Sequence, residues 1–184
     1  MGESLALTVL YELLGSISRT IESQYQLPLI KECFKACNSP LYVRLVYDQI
    51  CVWKSYTANQ IVPKSIDECI TALFNRVEDA HGKVLVSHAL AYVTAAKNGL
   101  SDSEVEDLIS IDETVLNDIY QYHLPPTRRI PPLLWIRIKS DIPAYLSERE
   151  ADGVSVVFWF HRQFFQGKFF KLKIRLHSFI LIRI

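Results

Sequence analysis

No G-x-x-x-x-G-K-S/T occurs in these 184 residues, so the chain lacks the glycine-rich loop that cradles a nucleotide's phosphates. No apolar strand ends in the paired acidic residues that would hold magnesium beside such a loop. No apolar run is long enough to span a bilayer, no recognisable targeting peptide is present, and no repeat of solenoid period is visible. The four cysteines, Cys33, Cys37, Cys51 and Cys69, form no C-x-x-C pair and come with no histidine knuckle or secretory signal. Cys33 and Cys37 stand i, i+4 on a predicted helix, which is compatible with metal binding, but the four read as buried free thiols in a reducing cytosol. No Ser/His/Asp or Cys/His set stands at a recognisable spacing. Glu148 and Glu150 share a strand face and read as solvated charges. The formal net charge is zero, so nothing global draws in nucleic acid or membrane. Acid is also missing locally. None follows Asp152, so the last stretch carries +6, while residues 1–152 carry −6 from 14 basic and 20 acidic groups.

What is present is mostly helical pattern. Leu5, Val9, Leu10, Leu13, Leu14 and Ile17 form a stripe of helical period. A second helix is predicted over about Ile21 to Ala36, starting late or breaking at Pro28. Asn38-Ser39-Pro40 is a turn, and Pro40 suits the first position of the next helix, whose buried face is Leu41, Leu45, Val46, Ile50 and Trp53. Residues 54–64 read as a loop. Ser65-Ile-Asp-Glu68 is a capping box for a helix that Gly82 interrupts. Val84 to Ala96 is apolar on nearly every side, so this helix belongs in the core, and His88 on it reads as a satisfied core histidine. His81 and His123 fall near turns and support no cluster.

Asn98-Gly99 is the expected end of that helix. Ser101-Asp-Ser-Glu104 and Ser110-Ile-Asp-Glu113 are capping boxes, with Leu100 and Val105 placed for a hydrophobic staple at the first. They predict short helices over about 102–109 and 111–122. The acid-rich stretch Asp102 to Asp118 reads as an exposed face. Pro131-Pro132 opens a third helix, Leu133 to about Ser140. Tyr145 to Glu150 and Val154 to Phe160 flank Ala151-Asp152-Gly153, a hairpin signal. Three short helices and then a hairpin is the order of a winged helix. Trp135, Trp159 and Phe160 are expected in its core, the alternative being contact with a domain that is not in this sequence.

The β-branched and aromatic run from Val154 ends at His161, where a new helix starts. An imidazole at such a junction can donate to an anion such as a phosphate. The plainer reading is a polar residue at a helix start, satisfied by a backbone carbonyl. Arg128, Arg129, Arg137 and Lys139 in or beside the third helix allow an alternative, a DNA-binding winged helix. Against it, Leu133, Leu134, Trp135, Ile136 and Ile138 leave that helix little polar face, and Asp141, Glu148, Glu150 and Asp152 would repel phosphates. Residues 167–184 are basic and apolar without caps or turns. They fit an edge strand, a membrane-surface segment or, by the abruptness of the change, a mispredicted gene end.

Several stretches together resemble a known family. Cys37-Asn-Ser-Pro40-Leu-Tyr42 before an apolar helix is similar to the adenine-side proline motif of STAND-class NTPases, and Gly99 to Leu108 resembles the opening of their winged helix. Pro131-Pro-Leu-Leu-Trp135, Tyr145-Leu-Ser-Glu-Arg149 and Trp159-Phe-His-Arg-Gln-Phe164 resemble the version in animal NACHT proteins with WD repeats. The resemblance covers about residues 5–165. It implies a mainly α chain, with a helical bundle subdomain over 1–97, a winged-helix domain with a small β-hairpin over 98–166, and an atypical tail over 167–184. It implies a nucleotide switch in which Pro40 lies beside adenine and His161 touches the ADP β-phosphate. Exchange of ADP for ATP, with magnesium, would free the winged helix to swing. The P-loop and WD-repeat domains are not in this sequence. The chain thus reads as an internal piece of a cytoplasmic signalling scaffold that binds no cofactor and catalyses nothing alone. Its expected partners are those missing domains and copies of itself in an assembly.

Overall fold

The computed structural model describes residues 2–54, 60–122, 125–151 and 153–166. The chain is mainly helical with one antiparallel hairpin, and it divides into two compact units, Met1–Leu73 and Phe74–Ile184. The expected join at residue 97 lies inside the second unit.

In the first unit, α1 (Glu3–Gly15) packs on α2 (Gln26–Ala36) and α3 (Pro40–Cys51). The second helix does start late: Pro28 falls in its first turn, where no intrahelical N–H is lost. The buried face of α1 is Ala6, Leu10 and Leu14, narrower than the predicted stripe, and Leu5, Val9 and Ile17 are exposed. Past the end of α1, the Arg19 guanidinium donates to the carbonyls of Cys51 (2.6 Å) and Trp53, satisfying oxygens left over at the end of α3. Three side chains hold the segment that leads into α4 (Ile66–His81). The Tyr42 hydroxyl donates to the Pro63 carbonyl at 2.6 Å, and the Cys33 and Cys69 thiols approach the Val62 and Pro63 carbonyls at 3.7 Å. Burial pushes the Cys69 thiol up to about 12, which keeps it a protonated donor. Ser65 caps α4 through the Glu68 N–H (3.3 Å). The return arm differs from the expected box, because the Glu68 carboxylate takes the Lys64 N–H instead.

In the second unit, Gly82 turns the chain at φ +98 into α5 (Lys83–Ala95). This helix is the core element, with eight of its thirteen residues buried. It packs on α6 (Asp102–Ile111), α7 (Glu113–Ile119) and the second strand of the hairpin. The third winged-helix helix is α8 (Pro132–Asp141). Strands β1 (Leu146–Ala151) and β2 (Val154–Trp159) pair in register from Leu146↔Trp159 to Ala151↔Val154. They close at Gly153, φ +78, and Asp152 itself lies outside the described residues. The Ser101 box is complete: the Glu104 N–H donates to Ser101 Oγ and the Glu104 carboxylate accepts the Ser101 N–H.

Three local expectations are corrected. The central helix ends at Ala95, so Gly99 does not cap it. Gly99 instead stands at φ +84 beside β2, where Leu100 and Val157 exchange two backbone hydrogen bonds (3.1 and 2.7 Å) in an antiparallel bridge. A Cβ on Gly99 would lie 2.8 Å from the Val157 carbonyl oxygen. Gly99→Ala therefore combines left-handed strain with a backbone clash, and should lower stability by about 2–3 kcal/mol in urea unfolding. An unchanged midpoint would show that the bridge gives way freely. Secondly, Asp112 rather than Ser110 caps α7, because α6 runs on to Ile111 and its Ser110 hydroxyl bonds back to the Glu106 carbonyl. Thirdly, Phe160 is 70% exposed: Trp159 takes the inward position at the strand end, so its neighbour faces out. The tail, 167–184, and His123 lie outside the described residues.

Candidate functional site

His161 stands between the end of β2 and α9 (Gln163–Gln166), in a loop closed by two buried rings. Trp159 and Phe164 stack at 4.9 Å with planes 8° apart, and Phe74 packs against both. The Trp159 indole N–H donates to Thr94 Oγ1 at 2.9 Å, which ties the strand end to α5. Within this frame His161 Nδ1 accepts the Gln163 N–H at 3.3 Å. The partner is a backbone N–H and not the carbonyl expected from sequence. The difference has a chemical consequence. A neutral imidazole that accepts at Nδ1 carries its proton on Nε2, so the half-buried ring keeps one donor free among the described residues. That donor suits an anion.

Pro40 lies in the first unit and opens α3, as expected. Ser39 caps the helix by accepting the Tyr42 N–H at 3.2 Å, and the Pro40 ring is exposed. Proline has no N–H to lose there, so an apolar surface is presented at a helix start without cost to the ladder.

A cluster unread from sequence lies between α5 and α7. Asp112 was expected on an exposed acidic face, yet it is 6% exposed. Its Oδ2 accepts from His88 Nδ1 and, at 2.6 Å, from the Tyr92 hydroxyl, while Oδ1 accepts the Thr114 and Val115 N–H groups. Burial alone would raise the carboxyl's pKa, but these donors overcome it and hold Asp112 down at about 2. The signal was available: His88 and Tyr92 are i, i+4 on a buried helix and need a polar partner.

The cations beside α8 are mostly engaged. Arg128 pairs with Glu113 (3.1 Å) and Asn117 (2.9 Å), and Arg129 pairs with Asp107 (2.5 Å). Lys139 bridges Asp102 (2.9 Å) and Glu148 (2.7 Å). Burial would lower its pKa, but those two carboxylates hold it above its ordinary range. Trp135 is fully buried and donates to Asp102 at 2.7 Å, so it is core as expected. Leu133 and Ile136 occupy the outer face of α8 instead of a basic row. Among the described residues, the four cysteines are free thiols and no three His, Cys, Asp or Glu groups converge to hold a metal. No helix among them is long and apolar enough to cross a membrane.

Helices α6, α7 and α8, followed by the hairpin and with Leu100 bridged to β2, define a winged helix-turn-helix. The chain belongs to the NWD1-like winged helix-turn-helix domain family, whose model matches residues 43–168. It is 34% identical over 154 residues to the human NACHT domain- and WD repeat-containing protein 1, covering 82% of this chain and 10% of that protein. It is 32% identical over 158 residues to the mouse protein of the same name, covering 84% and 10%. It is 32% identical over 157 residues to the mouse NACHT and WD repeat domain-containing protein 2, covering 84% and 9%. The chain thus spans about a tenth of the length of these curated relatives. No solved structure matches it.

Proposed function

We propose that this chain is the regulatory and scaffolding segment of a NACHT-type signalling NTPase, acting in the cytoplasm. It reports nucleotide state by movement of the winged helix and performs no catalysis itself. The observation that carries the reading is the His161 Nε2–H, an unpartnered donor among the described residues, set by the Gln163 bond at Nδ1. By resemblance alone, the exposed Pro40 ring of the first unit is assigned to the base and the His161 N–H of the second unit to the terminal phosphate, each by its own local chemistry. The phosphate cradle would come from a P-loop domain outside this sequence. A bound ADP with magnesium would supply the anion whose gain or loss biases the winged helix between two positions. The chain's own task is to hold the His161 proton outward and keep the Pro40 face open, with WD repeats and further copies as partners in assembly. The division into 1–97 and 98–166 belongs to this proposal: the first part would carry the base contact, the second the phosphate contact.

The DNA-binding alternative gains no support, because Arg128, Arg129 and Lys139 each pair with a carboxylate and Arg137 shares the outer face of α8 with exposed Leu133 and Ile136. To test the switch, the chain is fused to a related P-loop domain and ADP release is timed. His161→Ala removes one hydrogen bond to a charged group, worth about 1.5 kcal/mol, and should speed release about tenfold. Release at the wild-type rate would count against the sensor role.

A further inference from the structure

Helix α1 turns Leu5, Val9 and Glu12 to one side, at i, i+4 and i+7. The residues it buries, Ala6, Leu10 and Leu14, lie on another side, and Leu5 and Val9 remain 53% and 36% exposed. In the second unit, α8 carries a face of the same kind. Leu133, Ile136 and Arg137 stand at i, i+3 and i+4, and the two apolar side chains are 52% and 49% exposed. Each face is a pair of uncovered apolar side chains beside one charge, a carboxylate on α1 and a guanidinium on α8.

Neither charge is answered among the described residues. Arg128, Arg129 and Lys139 each meet a carboxylate, but exposed Arg137 makes no ion pair there, and neither does exposed Glu12. The spacing also matches. With the helices parallel and Val9 level with Ile136, Leu5 falls one position from Leu133 and Glu12 two from Arg137, about 1.5 and 3 Å along the axes. Turned antiparallel on the same pair, Glu12 would lie on Leu133 and Leu5 beside Ser140, so the charges favour one orientation.

The geometry points to an interface between copies of this chain, in which α1 of one copy packs on α8 of the next. Leu5 and Val9 meet Leu133 and Ile136, and Glu12 meets Arg137. Burial of the four apolar side chains supplies the attraction, and the ion pair fixes the register. Because the two surfaces differ, the contact is head-to-tail, and its repetition closes a ring or extends a filament. The inference rests on the assembly part of the proposed function, naming the surfaces through which copies meet, and not on the nucleotide contacts.

Sedimentation velocity of the full chain over a range of concentrations reads the association. Wild type should self-associate weakly as concentration rises, in keeping with a small interface. Arg137→Glu and Glu12→Arg each set like charges face to face, and each should weaken association about tenfold. Both positions are exposed, so neither change disturbs a core. An equal mixture of the two variants should regain wild-type association, because every contact between unlike variants again joins opposite charges. That recovery would also show that both variants are folded. Lys97→Glu, an exposed charge reversal elsewhere, should change nothing. Association that persists in both variants would overturn this pairing of faces while leaving assembly through another surface in place. A mixture no stronger than either variant alone would overturn it as well. A wild-type chain that stays monomeric at every concentration would overturn both this interface and the assembly reading.

Discussion

Asp112→Ala should lower the unfolding free energy by about 3–5 kcal/mol. One carboxylate performs two tasks here. Its Oδ1 caps α7, and a cap alone is worth about 1 kcal/mol. Its Oδ2 answers the His88 ring and the Tyr92 hydroxyl, two polar groups on the buried face of α5. Alanine removes the charged acceptor that both groups share and leaves the buried Tyr92 hydroxyl without this bond. Asp112→Asn keeps an oxygen for the cap and loses the charge, so about 1–2 kcal/mol should go. The pH dependence has a definite sign. Asp112 is held at about 2 in the fold, below its ordinary 3.8, so its contribution is complete above about pH 4 and fades as pH falls toward 2. A lowering of this size is worth about 2 kcal/mol. Urea unfolding of wild type and Asp112→Asn from pH 7 to pH 2 should therefore converge at the acid end. A constant gap across that range would show that the charge contributes nothing.

The order of elements could be read from local chemistry because each boundary has a local cause. The Ser101–Glu104 box, the Pro131-Pro132 pair and the glycine at 153 each act over a few residues, and the structure has a helix start or a turn at all three. Faces were harder. Leu5, Val9 and Ile17 share the period of Leu10 and Leu14, but α2 and α3 cover only the Ala6–Leu10–Leu14 side. Periodicity marks which residues could be buried, and the neighbouring helices decide how wide a stripe is used. Asp112 failed for a related reason. Two boxes fit the stretch 101–113 by pattern, and the competition at 110–113 is settled by a histidine and a tyrosine some twenty residues earlier in the chain. Gly99 looked like a helix cap, while its positive φ serves a backbone approach from a strand nearly sixty residues later. At His161 the junction was legible and the hydrogen-bond partner was not. The Gln163 N–H became available only because α9 begins there, which is set by burial of Phe164.

That burial makes Trp159 the residue on which the His161 geometry rests. Trp159 is 2% exposed, stacked on Phe164, tilted on Phe74 at 5.7 Å, and anchored to α5 through Thr94. Phe164 in turn packs on Tyr145 at 5.1 Å, beside the start of β1. The residues between the two stacked rings, 160–163, are therefore held at both ends, and His161 lies among them. Trp159→Ala removes the ring that closes this loop and should cost about 3–5 kcal/mol. Trp159→Phe keeps a ring against Phe164 and loses the bond to Thr94, so about 1–2 kcal/mol is expected. The two substitutions separate scaffold from site. In the P-loop fusion, Trp159→Ala should speed ADP release about as much as His161→Ala, because the imidazole loses its orientation when the loop opens. The double substitution should add little further, since residues acting as one unit are not additive. If the two effects on release multiplied, Trp159 would touch the nucleotide side by its own route, and the frame of stacked rings would not be what aims His161.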